Sequence, residues 1–304
     1  MIPVSILVLT WNEEQDLPGC LESVKGSDDI HVFDSFSTDR TVERARKAGA
    51  TVTQRRFDGY ASQRNAALRG LTFRHEWLLI LDADERVPEP LAEEIAAFVG
   101  AAAPEVVAGR IRRRDFFMGS WLKHAQISPF IIRLVRPRRV RYEREINEVM
   151  MVDGDVQELR EPFDHQPFSK GLRHWIEKHN RYSTMEAEVT TRDRPAHSVS
   201  RALFAPDFNE RRYHQKGLFC KLPGRPFIKL IYMLLWRRAF LDGYPGVTYA
   251  VLQTIYEYFI VLKTHELRRA SRAGVVEPQA RPQAVLPVAA GLSRHVPQPR
   301  DTPL

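Results

Sequence analysis

Four times in the first hundred residues a short aliphatic run gives way to a stretch with helical spacing. SILVLT is followed by EEQDLPGCLESV, where Leu17, Leu21 and Val24 recur at the helical period. DIHVFDSF precedes STDRTVERARKAG, which opens with hydroxyl and Asp capping groups and stops at Gly49. ATVTQRRF leads into YASQRNAALRGL, and EWLLILDA into PEPLAEEIAAFVG, with proline near the helix start. Alternation of this kind predicts an α/β fold, a parallel sheet covered by helices on both faces. Ligands of such sheets sit beyond the carboxyl ends of the strands. Those ends are Thr10 to Glu13, Asp34 to Asp39 and Asp82 to Glu85, all polar and mostly acidic.

From about Gly109 the rhythm changes. AGRIRRRDFFMG, SPFIIRLVRP, VRYEREINEVMMV and DVQELREPFDH read as strands of a more antiparallel kind. FSKGLRHWIEKHNRYSTMEAEVT is a helix, with 169–190 as its core, and residues 195–225 are mixed. Residues 226–268 read as two aromatic-rich helices interrupted by DGYPG. The stretch from Ala270 to Leu304, rich in Pro, Ala and Arg without apolar period, is expected to be disordered.

Composition narrows the function. A formal charge of +7 over 304 residues is modest: it suits an anionic ligand or a membrane surface and makes no case for nucleic acid. Cys20 and Cys220 give neither a disulfide framework nor a zinc knuckle. The opening MIPVSILVLTWNEE reads as a first strand and lacks the basic leader of a signal peptide, so a cytoplasmic location is expected. The turn after that strand, TWNEEQDLPG, carries no GxGxxG, and no P-loop follows any strand. Side-chain carboxylates and amides stand there instead, acceptors suited to a base edge or ribose hydroxyls.

LLILDADERV sets three acids within four positions at a strand end. Carboxylates so crowded repel one another unless a cation joins them. Residues two apart on an extended segment point the same way, so Asp82 and Asp84 are expected to face one ligand. Mg²⁺ or Mn²⁺ completes its octahedron with waters and substrate phosphates, which makes a metal bridging protein to diphosphate the expected partner. The competing reading has Asp82 cap the next turn while Asp84 and Glu85 pair with Arg86 or lie in solvent.

LTWNEE, FDSFSTDRT, FDGYASQRNAAL and WLLILDADERV, in that order, resemble the nucleotide-sugar domain of family 2 glycosyltransferases with the GT-A fold. The stretch from Lys221 to Leu267 resembles the tail of a subgroup that glucosylates the heptose of lipopolysaccharide inner core. The resemblance implies a Rossmann-like mixed sheet flanked by helices, with a carboxy-terminal helical extension. Residues 1–108 would be the nucleotide-sugar half and 109–225 the acceptor half. Thr10, Asn12 and Glu13 would line the nucleotide pocket and Asp34 would accept from uracil. Arg64 would reach the diphosphate or hold the DAD loop, with a surface salt bridge as the alternative. Asp82 would contact ribose or sugar, and Asp84 the metal. Asp39 is expected to cap the next helix.

The family's inverting chemistry needs a general base for the acceptor hydroxyl. INEV (146–149) stands where this subgroup often carries His-Glu; Asn147 replaces the His and Glu148 remains as the expected base, with Glu145 next and a solvated strand face as the rival reading. SPFIIRL also departs from relatives, having Phe130 where an acid is common. His165 could touch metal or phosphate, though a lone His is more often structural. Arginines 110, 112–114, 133, 136, 138, 139 and 141 make a basic middle suited to a phosphate-bearing acceptor.

The implied reaction is transfer of a hexose, glucose first, from a UDP-sugar to a lipid-linked glycan. Another sugar and acceptor, or a non-catalytic binding module, are the alternatives. FIKLIYMLLW is about half a membrane span, and VTYAVLQTIYEYFIVLK is broken by Gln253 and Glu257. Helices of this composition, flanked by Lys221, Arg225, Lys229, Arg237 and Arg238, suit either the headgroup layer at the inner face of the cytoplasmic membrane or packing on the catalytic domain.

Overall fold

The computed structural model describes residues 2–143, 149–192, 198–205, 208–220 and 222–272. In chain order the elements are β1 (Ser5–Thr10), α1 (Leu17–Ser23), β2 (Ile30–Asp34), α2 (Thr41–Lys47), β3 (Thr51–Gln54), α3 (Tyr60–Gly70), β4 (Leu78–Asp82), β5 (Glu85–Arg86) and α4 (Glu89–Ala101). There follow β6 (Val106–Phe117), β7 (Ser120–Trp121), β8 (Phe130–Val135), β9 (Val140–Glu143), β10 (Val149–Val152), β11 (Asp155–Glu158) and β12 (Phe163–His165). The remainder is helical: α5 (Gly171–Arg192), α6 (Val199–Phe204), α7 (Phe208–Phe219), α8 (Arg225–Ile231) and α9 (Gly243–Arg272). One compact unit holds the described residues of Met1–Phe116 and Ser128–Lys170; a second holds Phe117–Ile127 and the described residues from Gly171 onward.

In the first unit β1 lies between β2 and β4, parallel to both. β3 extends the sheet alongside β2, again parallel. The reason is in the sequence: β1 and β4 are aliphatic on both faces, and only strands covered on both sides can be so. Ile6, Val8, Leu79 and Leu81 face one way and meet Leu17, Leu21, Leu91 and Ile95 from α1 and α4. Leu7, Leu78 and Ile80 face the other way, with Phe33 and Ala67 of α3. Each such fully buried side chain contributes roughly 1.5–3 kcal/mol of burial free energy.

Beyond β4 the sheet becomes mixed. β8 runs antiparallel to both β4 and β6. β12 is parallel to β6 and antiparallel to β5, and β9 pairs antiparallel with β10. The register of β6 on β8 shifts between Gly109 and Arg110. A Cβ at Gly109 would stand 2.7 Å from Leu159 Cδ1, so glycine is needed for close packing there.

The LLILDADERV stretch is not a single extended segment. β4 ends at Asp82, Ala83 and Asp84 form a turn, and Glu85 begins β5. The two-residue alternation that was to bring Asp82 and Asp84 to the same side therefore does not operate.

In the second unit α5 packs on α9, α6 on α7, and α8 on α9. Arg225 of α8 and Glu257 of α9 form a buried ion pair at 2.9 Å. The helix break falls earlier than DGYPG: Gly243 starts α9, and Pro245 sits in its first turn, where a missing N–H costs nothing.

Candidate active site

The three acids at the end of β4 each find a positive partner, and it is not Arg86. That side chain instead donates to the carbonyls of Ala83, Glu85 and Asp16. β8 lies beside β4, and its Arg133, only 6 % exposed, reaches the acid cluster. An Arg133 Nη2 donates to Asp82 Oδ2 at 2.7 Å and to the Glu85 carboxylate. Arg64 of α3 approaches Asp82 Oδ1 at 3.4 Å and lies over the Tyr142 ring. Glu85 in turn accepts from the Asp82 amide at 3.0 Å.

Burial disfavours a charged Asp82, yet Arg133 and Arg64 outweigh it and hold the carboxyl well below the usual range. Burial dominates at Glu85, pushing it up to about 7 despite Arg133. Buried Glu85 and Arg133 thus form a support under the turn, with the partly exposed Asp82 held on it.

Asp84, on the turn itself, faces His165. β12 places His165 opposite Glu85 on one side and Asp115 on the other. His165 Nδ1 is 2.5 Å from Asp115 Oδ1, and Nε2 is 3.2 Å from Asp84 Oδ2. The Gln166 amide donates to the Asp84 carbonyl at 2.9 Å. Burial works against a charged imidazole, but Asp84 and Asp115 prevail and raise His165 to about 10.

The loop after β1 forms the other wall. Asn12 adopts φ 54°, a left-handed conformation that asparagine tolerates. Its Oδ1 accepts from the Thr38 amide at 2.8 Å, and its own amide donates to Ser37 Oγ at 2.8 Å. Lys170 Nζ donates to the Asn12 carbonyl at 3.0 Å and to Glu13 Oε1 at 2.7 Å. Burial raises Glu13 to about 7, with Lys170 pulling the other way.

Asp34 is fully buried and accepts four bonds: from Thr10 Oγ1 at 2.9 Å, Ser37 N at 2.9 Å, Ser37 Oγ at 2.5 Å and Gln54 Nε2 at 2.9 Å. A carboxylate has about four lone-pair sites, so a uracil N–H could bond there only by displacing one of these donors. Trp11 and Phe36, flanking this wall, are 63 % and 49 % exposed, and Phe36 has φ 59°. A non-glycine residue in that region costs roughly 1–2 kcal/mol, here held by the Ser37 bonds to Asp34. Asp39 accepts from the amides of Thr41, at the start of α2, and of Glu14.

Among the described residues no group of three or more His, Cys, Asp or Glu forms a metal cage. Asp84 offers one oxygen, and His165, protonated on both ring nitrogens while it faces the two carboxylates, offers a nitrogen beside it once a cation displaces the Nε2 proton. Mg²⁺ and Mn²⁺ take few protein ligands and fill their shells with phosphate and water. Asp115 on the far nitrogen fixes the imidazole as carboxylates do behind metal-bound histidines. The donor set therefore fits a divalent ion that arrives with a diphosphate.

Thr10, Asn12, Glu13, Asp34, Arg64, Asp82 and Asp84 all belong to the carboxyl-end region of β1, β2 and β4 or the adjoining α3. Glu148, with Glu145 and Asn147, lies outside the described residues. Sequence reasoning did not single out Lys170, Asp115 or Gln54, set His165 aside, and listed Arg133 only as one of many basic residues. Their partners lie far off along the chain, so no local pattern marks them.

Residues 5–163, just over half of the chain, match the family model described as glycosyl transferase family 2. The chain is 27% identical over 269 residues to the lipopolysaccharide core biosynthesis glycosyltransferase LpsC of Rhizobium meliloti (strain 1021), covering 83% of this chain and 90% of the relative. It is 38% identical over 93 residues, 30% of this chain and 32% of the other, to the uncharacterized glycosyltransferase RC0292 of Rickettsia conorii. The solved structure of S. aureus TarS 1-349 in complex with UDP overlaps 89% of this chain and 91% of that one, at 16% identity and a TM-score of 0.43. That overlap is too loose to transfer any residue. The mixed sheet with its carboxyl-end site, the family match and the length of the LpsC alignment agree: the chain belongs to glycosyl transferase family 2 and is a glycosyltransferase of the GT-A fold.

Proposed function

We propose that the protein is an inverting glycosyltransferase that moves a hexose, glucose first among candidates, from a UDP-sugar to a lipid-linked saccharide such as lipopolysaccharide inner core. An acceptor carried by lipid would put the reaction at the inner face of the cytoplasmic membrane. Alignment with LpsC along most of both chains supports the acceptor class. The observation that carries the reaction type is the pairing of Asp84 with His165, backed by Asp115.

In this reading Asp84 and His165 would hold a divalent cation, Mg²⁺ or Mn²⁺, which when bound would supply positive charge to the leaving diphosphate. Arg133 and Glu85 fix the turn beneath, and Asp82, its carboxylate kept ionised by Arg133 and Arg64, faces the ribose or sugar hydroxyls. The exposed rings of Trp11 and Phe36 offer apolar faces to a base. Asn12, Glu13 and Thr10 shape the nucleotide wall, with Asp34 organising it. Glu148 takes the proton of the acceptor hydroxyl as that oxygen attacks the anomeric carbon.

Calorimetry with a panel of UDP-sugars and Mn²⁺, then UDP release with truncated core saccharides, tests this. Tight binding of one UDP-sugar and acceptor-dependent UDP release are expected. Donor binding without turnover on any acceptor would favour a binding module instead.

A further inference from the structure

At one place in the second unit the helical backbone loses its regularity. Tyr232–Trp236 form a single π turn, closed by the Arg237 amide donating to the Tyr232 carbonyl at 2.9 Å. Arg238 follows in the left-handed region, with φ 56°. Isolated π turns gather at functional sites, and an arginine in the left-handed region is strained, so the irregularity calls for a purpose. The surface offers one. Leu235 and Trp236 are 68 % and 81 % exposed, and Phe240 and Leu241 are 52 % and 54 % exposed. Large apolar side chains exposed together in this way mark interaction sites.

A cleft of about 350 Å³ opens there, lined by Lys123, His124, Tyr232, Trp236, Arg237 and Arg238. Its wall is held in place. The Asp242 carboxylate, 2 % exposed, accepts from the amides of His124 at 2.8 Å and Ala125 at 2.7 Å and bonds the His124 ring at 2.7 Å. Arg237 donates to the carbonyls of His124 and Gln126 at 3.1 and 2.9 Å. Asp242 is the only acid between Glu210 and Glu257, a stretch with eight Lys or Arg residues, and it is spent inside the fold. Arg225 is likewise spent on Glu257, but Lys123 and Arg238 line the cleft with no acid among its lining residues, so the cleft is positive.

Exposed Trp, Leu and Phe beside surplus cations match the chemistry of a bilayer interface, where rings and aliphatics enter the acyl boundary and cations meet lipid phosphates. A soluble anion would have no use for the apolar surround. A second copy of the chain would bring the same positive charge against itself. We infer that this end of the second unit is an interfacial anchor: Leu235, Trp236, Phe240 and Leu241 enter a bilayer surface while Lys123 and Arg238 bind anionic lipid headgroups at the cleft. Its purpose, bringing the enzyme to a lipid-carried acceptor, rests on the proposed function; the anchoring itself does not.

The test is co-sedimentation of the full chain with vesicles of phosphatidylcholine, or of equimolar phosphatidylcholine and phosphatidylglycerol, with no donor or acceptor present. The chain is expected to pellet with the anionic vesicles, and to be released by high salt. Lys123→Glu with Arg238→Glu should lower partitioning at least about tenfold, and Leu235→Ser with Trp236→Ser comparably. The neutral pair Lys123→Gln and Arg238→Gln should show a smaller loss, with thermal midpoints confirming folded protein. Wild-type chain left in the supernatant, or variants that bind unchanged, overturn the proposal. Release by millimolar inorganic phosphate at fixed ionic strength would mean a soluble-anion site and also overturn it. A vesicle-free dimer dissolved by the Trp236 change would make the face a contact between copies and refute it too. UDP-sugar affinity, read separately, stands or falls with the proposed function alone.

Discussion

His165 Nε2 lies 3.2 Å from Asp84 Oδ2, two side chains brought together from 81 positions apart in the chain. Neither residue belongs to a local ligand pattern. Strand pairing alone creates the contact, because β12 docks against β5 immediately after the Asp84 turn.

That pair predicts the metal response. Asp84→Ala should lower Mn²⁺-stimulated UDP release by about two orders of magnitude or more. Asp115→Asn, which loosens His165 without touching substrate, should weaken Mn²⁺ affinity about 10–100-fold. Titration of Mn²⁺ against initial rates separates the two, and an Asp115→Asn enzyme with normal metal affinity would detach His165 from the ion.

Arg133 carries a stability prediction. Replacing it by Met leaves the buried Glu85 without its cation, while Asp82, 35 % exposed, keeps some solvation, so about 1–3 kcal/mol of stability should be lost. Urea unfolding measures this. A loss below 1 kcal/mol, taking ~1 kcal/mol as the worth of an exposed pair, would show that water reaches the cluster.

Glu13 predicts a pH dependence. Its folded pKa of about 7 stands above the 4.5 of an unperturbed glutamate, so between these values the folded state binds more protons than the unfolded chain. Its contribution is therefore present at low pH and lost as pH rises through about 7, by at most about 3 kcal/mol. Glu13→Gln lacks this dependence, so relative to wild type it should gain stability from pH 5 to pH 8. Denaturant midpoints at the two pH values give the answer; parallel curves would contradict the burial of Glu13.

Glu148→Gln should leave UDP-sugar affinity intact and slow transfer by about 10²–10⁴-fold. Single-turnover transfer beside calorimetry distinguishes this from a binding defect. Unchanged transfer would shift attention to Glu145.

Gly246→Ala probes the second unit. An added Cβ would run into the backbone carbonyl of Ala239 and lie 2.6 Å from Asp242 Cβ. Overpacking of that kind should cost about 1–3 kcal/mol, visible as a lowered thermal midpoint. It should also weaken vesicle binding, since Asp242 holds the cleft wall.

The sequence made the parallel half of the fold readable because β1 to β4 are local signals, each an apolar run with a helix behind it. The acids of β1, β2 and β4 were readable for the same reason: they stand at the ends of those runs. What answered them was not. Arg133, Asp115 and His165 reach the site through the mixed half of the sheet, where register and not spacing decides which side chains meet. The extended reading of Asp82-Ala83-Asp84 missed the turn because Ala83, 3 % exposed, is as compatible with a strand as with a buried turn.

The pairing of β12 with β5 also orders the site in time. A nascent chain that has emerged only through β4 and β5 already displays every acid of the turn, yet the imidazole that faces Asp84 is still unmade. Closing that gap waits for β6, β8 and β12 to arrive and find their register, a non-local and hence slow step. Synthesis therefore completes the Asp84–His165 pair near the end of the first unit's translation, and a fragment stopping short of Phe163 holds the acids without the histidine.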